Sequence, residues 1–243
     1  LTVLAIFGPT GVGKTGVAIA LAEALRQRGE DPVAINCDAL QVYEGLSVLT
    51  GAASAAERAR LEHRLLEFVP ISADFSVGDY MPLAHAEVDA ALAAGRTPIV
   101  VGGTGLYLRA ALAQLSLVKA PPEAEDSELW SPETRHPTMI FGLDMDRALL
   151  YERIDARAGA TVAAGARAEV ERAEALGPGR SARKALGFDE LLAGDLAAMQ
   201  KRSRNYARRQ LTWMRKIPKL QAVDRTGLSD DEAAAKIVAA LGD

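Results

Sequence analysis

The chain has 243 residues, 49% of them hydrophobic and 25% charged, with a formal net charge of −4 and a single cysteine. This composition suits a sizeable α/β core, and no apolar stretch approaches the roughly 18–20 residues that span a bilayer. Lone Cys37 excludes an internal disulfide and a cysteine-based zinc site, and reads as a buried thiol in a cytoplasmic protein.

The first element is an apolar strand over residues 3–7, so no signal peptide is expected. The start at Leu1 suggests that a few leading residues are absent. Residues 8–15 follow directly, reading Gly-Pro-Thr-Gly-Val-Gly-Lys-Thr, a phosphate loop with a strand before it and a helix after. Gly8, Gly11 and Gly13 let backbone N–H groups close around phosphate oxygens. Lys14 adds a point charge, and Thr15 offers a hydroxyl to a Mg²⁺ ion bridging those oxygens. A helical stripe over 15–28 ends at Gly29, and a second strand over 32–37 ends at Asp38.

Helical composition continues around 54–66 and 77–94, and a third core strand over 97–101 breaks at Gly102, Gly103 and Thr104. This alternation predicts a parallel sheet flanked by helices, of the P-loop NTPase-like kind, with ligands beyond the C-terminal strand ends. Asp38 is the only acid placed at a strand end, whereas P-loop phosphoryl-transfer proteins usually carry a Mg²⁺-holding acid on a neighbouring strand. A loop without it suggests phosphate bound as a leaving group. Residues 118–137 are rich in proline and acid and read as a linker. Another strand is expected over 138–143, a long helical region over 146–176 broken by Gly165, and a last helix over 195–216. Residues 201–219 hold eight cations and no acid, a local basic face.

The phosphate loop, Cys37-Asp38-Ala39-Leu40-Gln41-Val42-Tyr43, Gly102-Gly103-Thr104-Gly105-Leu106-Tyr107-Leu108 and residues 206–215 together resemble the tRNA dimethylallyltransferase family. Glu62-His63-Arg64-Leu65, Phe75-Ser76-Val77, Arg153-Ile154 with Arg157, and Ala185-Leu186-Gly187-Phe188 extend the likeness over nearly the whole chain. The resemblance implies Mg²⁺-assisted transfer of a dimethylallyl group from dimethylallyl diphosphate to N6 of adenosine 37, in the anticodon loop of tRNA. Thr10, Gly11, Val12, Gly13, Lys14 and Thr15 would hold the diphosphate. Asp38 would take a proton from the attacking amine, and Thr104 would reach the target nucleotide or the breaking C–O bond. Asp38, Ala39, Leu40 and Gln41 would line the pocket of the extruded adenine. Arg204, Arg208 and Arg209 would meet RNA phosphates. A monomer is expected. The competing readings are an adenylate isopentenyltransferase acting on free nucleotide and a P-loop small-molecule kinase.

Two departures stand out. The family carries a small helical insertion domain before the strand at 138–143, and about sixty to eighty residues of it are missing here, on the scale of a small domain. Residues 1–117 and 138–243 would then be the two parts of a catalytic core, the second ending in the basic helix. Residues 118–137 would be a linker or a remnant of the insertion. Either this homologue is truncated or the numbering runs across an unseen mobile domain, and the second is favoured. The family's Thr-Ala-Lys-Pro also reads Thr50-Gly51-Ala52-Ala53, losing a lysine that Arg58 or Arg60 could replace.

Overall fold

The computed structural model describes residues 1–116 and 128–242. Six strands, β1 (Val3–Phe7), β2 (Pro32–Asn36), β3 (His63–Arg64), β4 (Thr97–Gly102), β5 (Thr138–Asp144) and β6 (Leu220–Asp224), form one sheet. Its order is β3-β2-β4-β1-β5-β6, and every pairing is parallel. β1, β2 and β4 are buried along their whole length, because helices cover both faces of the sheet.

The helices are α1 (Lys14–Gln27), α2 (Ser47–Thr50), α3 (Ala55–Arg60), α4 (Val77–Ala93) and α5 (Gly105–Leu112) before β5. After it come α6 (Arg147–Ala163), α7 (Ala166–Ala175), α8 (Phe188–Leu192), α9 (Leu196–Met214) and α10 (Asp230–Leu241). One core lies between the sheet and α1, α6 and α10, and a second between the sheet, α4 and α5. A third gathers α2, α7 and α8 around Tyr43 and Phe188. Among the described residues, no helix is long and apolar enough to cross a membrane.

The register levels the strand ends that matter. Phe7 lies beside Gly102 on one side and Gly142 on the other, and Asn36 lies beside Val101. The phosphate loop, Asp38 and the Gly102–Thr104 turn therefore leave the sheet at one edge.

Several sequence expectations are corrected. The helix expected over 54–66 stops at Arg60, because the chain turns extended at Leu61 and lays His63 and Arg64 beside β2 as an edge strand. β6 and α10 have no counterpart in the sequence reading. Asp38 is not the only acid at a strand end, since β5 closes on Asp144 and β6 on Asp224, although neither lines the cavity described below. The break at Gly165 is as expected: its left-handed backbone separates α6 from α7.

Of the connection expected at 118–137, residues 118–127 lie outside the described ones. Its second half is tied down by the buried Arg109, which donates from Nε to Leu129 O (2.9 Å) and from Nη2 to Ser131 O (2.8 Å).

Candidate active site

The phosphate loop needs left-handed backbone at Gly11 (φ 82°) and Gly13 (φ 91°), a conformation that L side chains rarely adopt. Lys14 folds back over the loop, its Nζ donating to Gly8 O and Pro9 O, both at 3.0 Å. Burial lowers its pKa to about 8, partly offset by the Asp38 carboxylate. The amine is still protonated at neutral pH, and an incoming anion would stabilise that charge.

Asp38 sits where β2 ends. Its N–H donates to Asn36 Oδ1 (3.1 Å), while its own Oδ1 accepts from Leu40 N (3.0 Å), a local turn that fixes the carboxylate. Asn36 in turn donates to Leu65 O (2.9 Å), so the residue that follows the edge strand β3 helps to orient the acid. Thr104 Oγ1 accepts from Ala39 N (3.1 Å), which ties the β4 turn to the β2 turn.

Gln210 on α9 joins these turns to the phosphate loop. Its Nε2 donates to Gly103 O (2.8 Å) in a buried setting and its Oε1 accepts from Thr10 N (2.7 Å) in a partly buried one. A Cβ at Gly103 would collide with the Gln210 amide, so any larger residue here would displace that side chain from its two hydrogen bonds. That same Cβ would stand 3.3 Å from Lys14 Nζ and 3.4 Å from Asp38 Oδ2, so cation and carboxylate border one small space. Tyr206, one turn earlier on α9, shares a hydrogen bond with Thr104, and burial pushes its phenol pKa up, so it stays neutral.

One cavity opens over these groups. Its lining combines the polar set Thr10, Gly13, Lys14, Thr15, Asp38 and Gln41 with the apolar side chains of Leu40, Leu49, Ile154, Ala158, Leu186 and Met199. Arg157 on α6 also faces it, donating to Thr50 O (3.2 Å) and lying where a side chain at Gly51 would stand. Arg58 instead pairs with Glu67, and Arg60 with Glu23. Arg58 also donates from Nε to Ala53 O (2.7 Å), so both it and Arg157 stand beside the altered Thr50–Ala53 stretch, and of the two Arg157 lines the cavity.

The family model described as IPP transferase matches residues 41–134 and 120–217, most of the chain. The chain belongs to the IPP transferase family. A tRNA dimethylallyltransferase of Rhodospirillum centenum is 38% identical over 283 aligned positions, covering 88% of each protein. One of a Nocardioides species is 33% identical, covering 99% of this chain and 97% of the relative. The crystal structure of the full-length tRNA isopentenylpyrophosphate transferase of Bacillus halodurans superposes with a TM-score of 0.85 at 26% identity, covering 99% of this chain and 95% of that one. The alignment of 283 positions exceeds the 243 residues of this chain, so the Rhodospirillum relative has residues with no counterpart here.

For this family member, the remaining expected site residues fall into three places. Gly11 and Val12 form the back of the loop, Gly11 against Ile154 and Val12 fully buried. Ala39 and Thr104 stand in the turns beside the cavity. The α9 arginines lie outside it: Arg204 makes a two-oxygen ion pair with Asp155 on α6 (2.5 and 2.7 Å), while exposed Arg208 and Arg209 border a shallow pocket with Trp213. Sequence reasoning passed over Gln210, Tyr206 and Arg157 as site residues. The signal for two of them was available: buried α9 residues recur at helical spacing (Met199, Ser203, Ala207, Gln210, Met214), and a glutamine on that face demands polar partners. Arg157 lies one turn beyond Arg153 on α6, the same face in sequence.

Proposed function

We propose that this chain transfers a dimethylallyl group from dimethylallyl diphosphate to N6 of adenosine 37 in the anticodon loop of tRNA, releasing diphosphate. The observation that carries the reading is that Lys14 Nζ and Asp38 Oδ2 both come within 3.4 Å of the point a Cβ on Gly103 would occupy, with apolar side chains lining the same cavity. A phosphate loop and an apolar lining suit a prenyl diphosphate. A carboxylate in the same cavity suits an amine nucleophile that must lose a proton. Relatives named for this activity share most of the chain's length.

The step is a substitution at the allylic carbon. The N6 lone pair forms the new C–N bond while the C–O bond to diphosphate breaks, and the leaving group takes that electron pair. Positive charge on the allyl carbon and negative charge on the departing oxygen rise together. Lys14 and the loop N–H groups neutralise the oxygens, and Arg157 adds a second cation at the cavity wall. N6 becomes acidic as it alkylates, and Asp38 accepts its proton. Gln210 holds the loop and the β4 turn at fixed separation, which keeps donor and acceptor sites in register.

Mg²⁺ fits this donor set. Among the described residues no cluster of three or more His, Cys, Asp or Glu could form a protein cage. The Thr15 hydroxyl would hold the ion, with diphosphate oxygens and water as its other partners, leaving the Asp38 carboxylate free to take the N6 proton. Bound there, it would supply charge neutralisation to the leaving group.

Exposed Arg208 and Arg209 beside Trp213 would meet RNA phosphates, with the anticodon loop delivering an extruded base to the cavity. The family match breaks into two pieces over 120–134, which supports placing the relatives' extra residues in that connection. We take the enzyme to act as a monomer in the cytoplasm, where tRNA is found. The test is transfer of labelled prenyl from dimethylallyl diphosphate to unmodified tRNA, with AMP as competing acceptor. Labelled tRNA supports the proposal; labelled AMP alone, or no product, refutes it.

A further inference from the structure

The back of the phosphate loop carries a buried cation that the mechanism above does not use. Arg225 follows β6 and is 4% exposed. Its Nη1 donates to Val12 O (2.7 Å) and Gly13 O (3.3 Å). Its Nη2 pairs with Asp230 Oδ1 at the start of α10 (2.8 Å), while its Nε has no partner among the described residues. Burying a guanidinium with one donor unused is costly, so its position calls for a reason.

The loop sequence makes room for this pair. A Cβ at Gly13 would collide with Arg225 Nη1, and one at Gly16 would collide with Asp230 Oδ2. Two glycines thus open the back of the loop to a cation and its counter-ion. The geometry has a consequence on the other face. In a trans peptide the C=O and the following N–H point to opposite sides. Drawing Val12 O backward turns the Gly13 N–H forward, and Arg225 adds to the pull of Val17 N (3.2 Å) on Gly13 O that turns the Lys14 N–H the same way; both residues line the cavity. The charge also polarises both peptide units in the sense that strengthens them as donors.

We propose that Arg225, held by Asp230, is a positioning residue that aims and polarises the Gly13 and Lys14 amides at the diphosphate. The inference rests on the diphosphate reading of the loop. It makes the last strand and helix of the chain, far from the cavity in sequence, part of the anion site.

The test is calorimetric titration with inorganic diphosphate and Mg²⁺, paired with amide ¹H–¹⁵N spectra of the ¹⁵N-labelled full chain. Wild-type protein should bind, with large shifts at the Gly13 and Lys14 amides. Arg225→Met should weaken binding about 10- to 100-fold, the range for lost charge-assisted hydrogen bonds, and shrink those two shifts. Arg225→Lys should recover part of both, because it can still donate to one carbonyl. Asp230→Asn, at a half-exposed position that tolerates change, should move affinity and shifts a smaller distance the same way. A folded Arg225→Met protein with wild-type affinity and shifts overturns the proposal. If Arg225→Met does not fold, wild-type behaviour of Asp230→Asn overturns it. Wild-type protein that binds no diphosphate defeats the functional reading itself, a result distinct from either.

Discussion

Gln210 offers the sharpest test of how α9 assembles the site. Replacing it with alanine removes two hydrogen bonds, to Gly103 O and from Thr10 N, at a side chain only 4% exposed. Each bond contributes about 1–1.5 kcal/mol net, so Gln210→Ala should lower unfolding free energy by about 2–3 kcal/mol. Water entering from the adjoining cavity would hold the loss to that range. The catalytic effect should be larger than stability alone predicts. With the clamp gone, the phosphate loop and the Asp38 side of the cavity are no longer held at one separation, and a 1 Å error in such alignment costs about 10²-fold. Gln210→Glu separates the two bonds, because a carboxylate still accepts from Thr10 N but cannot donate to Gly103 O and adds negative charge beside the diphosphate site. We expect it to be at least as inactive as Gln210→Ala. Arg202→Ala, also on α9, is the control: it breaks a partly exposed pair with Glu190 on α8 (2.9 Å). It should cost under about 1 kcal/mol and leave kcat/KM unchanged. The assays are urea denaturation and steady-state prenyl transfer to tRNA. If Gln210→Ala loses stability but keeps wild-type kcat/KM, the clamp has no part in alignment and the argument fails.

Other expectations follow from the same geometry. Asp38→Ala should fold and bind diphosphate yet lose about 10²–10⁴-fold in turnover; loss of folding would instead mark its turn with Leu40 as its main role. Burial lowers the Lys14 amine from its ordinary 10.5 to about 8, so the free protein carries that charge below pH 8 and sheds it above. Diphosphate affinity should therefore fall as pH rises through 8, and titration calorimetry should find this limb missing in Lys14→Met. Arg208→Ala and Arg209→Ala should each reduce the salt dependence of tRNA binding by roughly one unit of slope. Arg204→Ala, which breaks the pair with Asp155, should instead lower the melting temperature and leave that slope unchanged. Chelation of Mg²⁺ should abolish prenyl transfer while leaving the melting temperature of the ligand-free protein unaltered.

The parts of this protein that could be read from sequence are those where burial and backbone geometry leave few options. β1, β2 and β4 are buried throughout because both faces are covered, and β1 runs into Gly8, β4 closes on Gly102 and β2 reaches Asp38 two residues beyond its end, where the chain turns out of the sheet. β6 escaped because it is an edge strand with only Val223 buried, so no apolar run marks it. α10 carried a usable signal, with Ser229 and Glu232 forming a capping box ahead of Ala233, Ala234 and Ile237 on the buried face. The site shows the same division. Lys14 and Thr15 belong to a phosphate-loop motif whose expected chemistry follows from spacing, whereas the role expected of Asp38 comes from the family resemblance. Gln210 and Arg225 act from about two hundred residues away on the loop they hold, and only packing brings them there. What links the two groups is the glycines: Gly13, Gly16 and Gly103 each lack the one atom that would exclude Arg225, Asp230 or Gln210. A glycine in such a motif marks a place where another part of the chain, as well as a phosphate, approaches the backbone closely. Gly16→Ala tests this away from the phosphates, since the added methyl must displace the Asp230 carboxylate and loosen Arg225 without touching the anion face. Diphosphate affinity should fall as it does in Asp230→Asn, and the double variant should show no further loss. Additive losses would mean that glycine and carboxylate act on the loop independently.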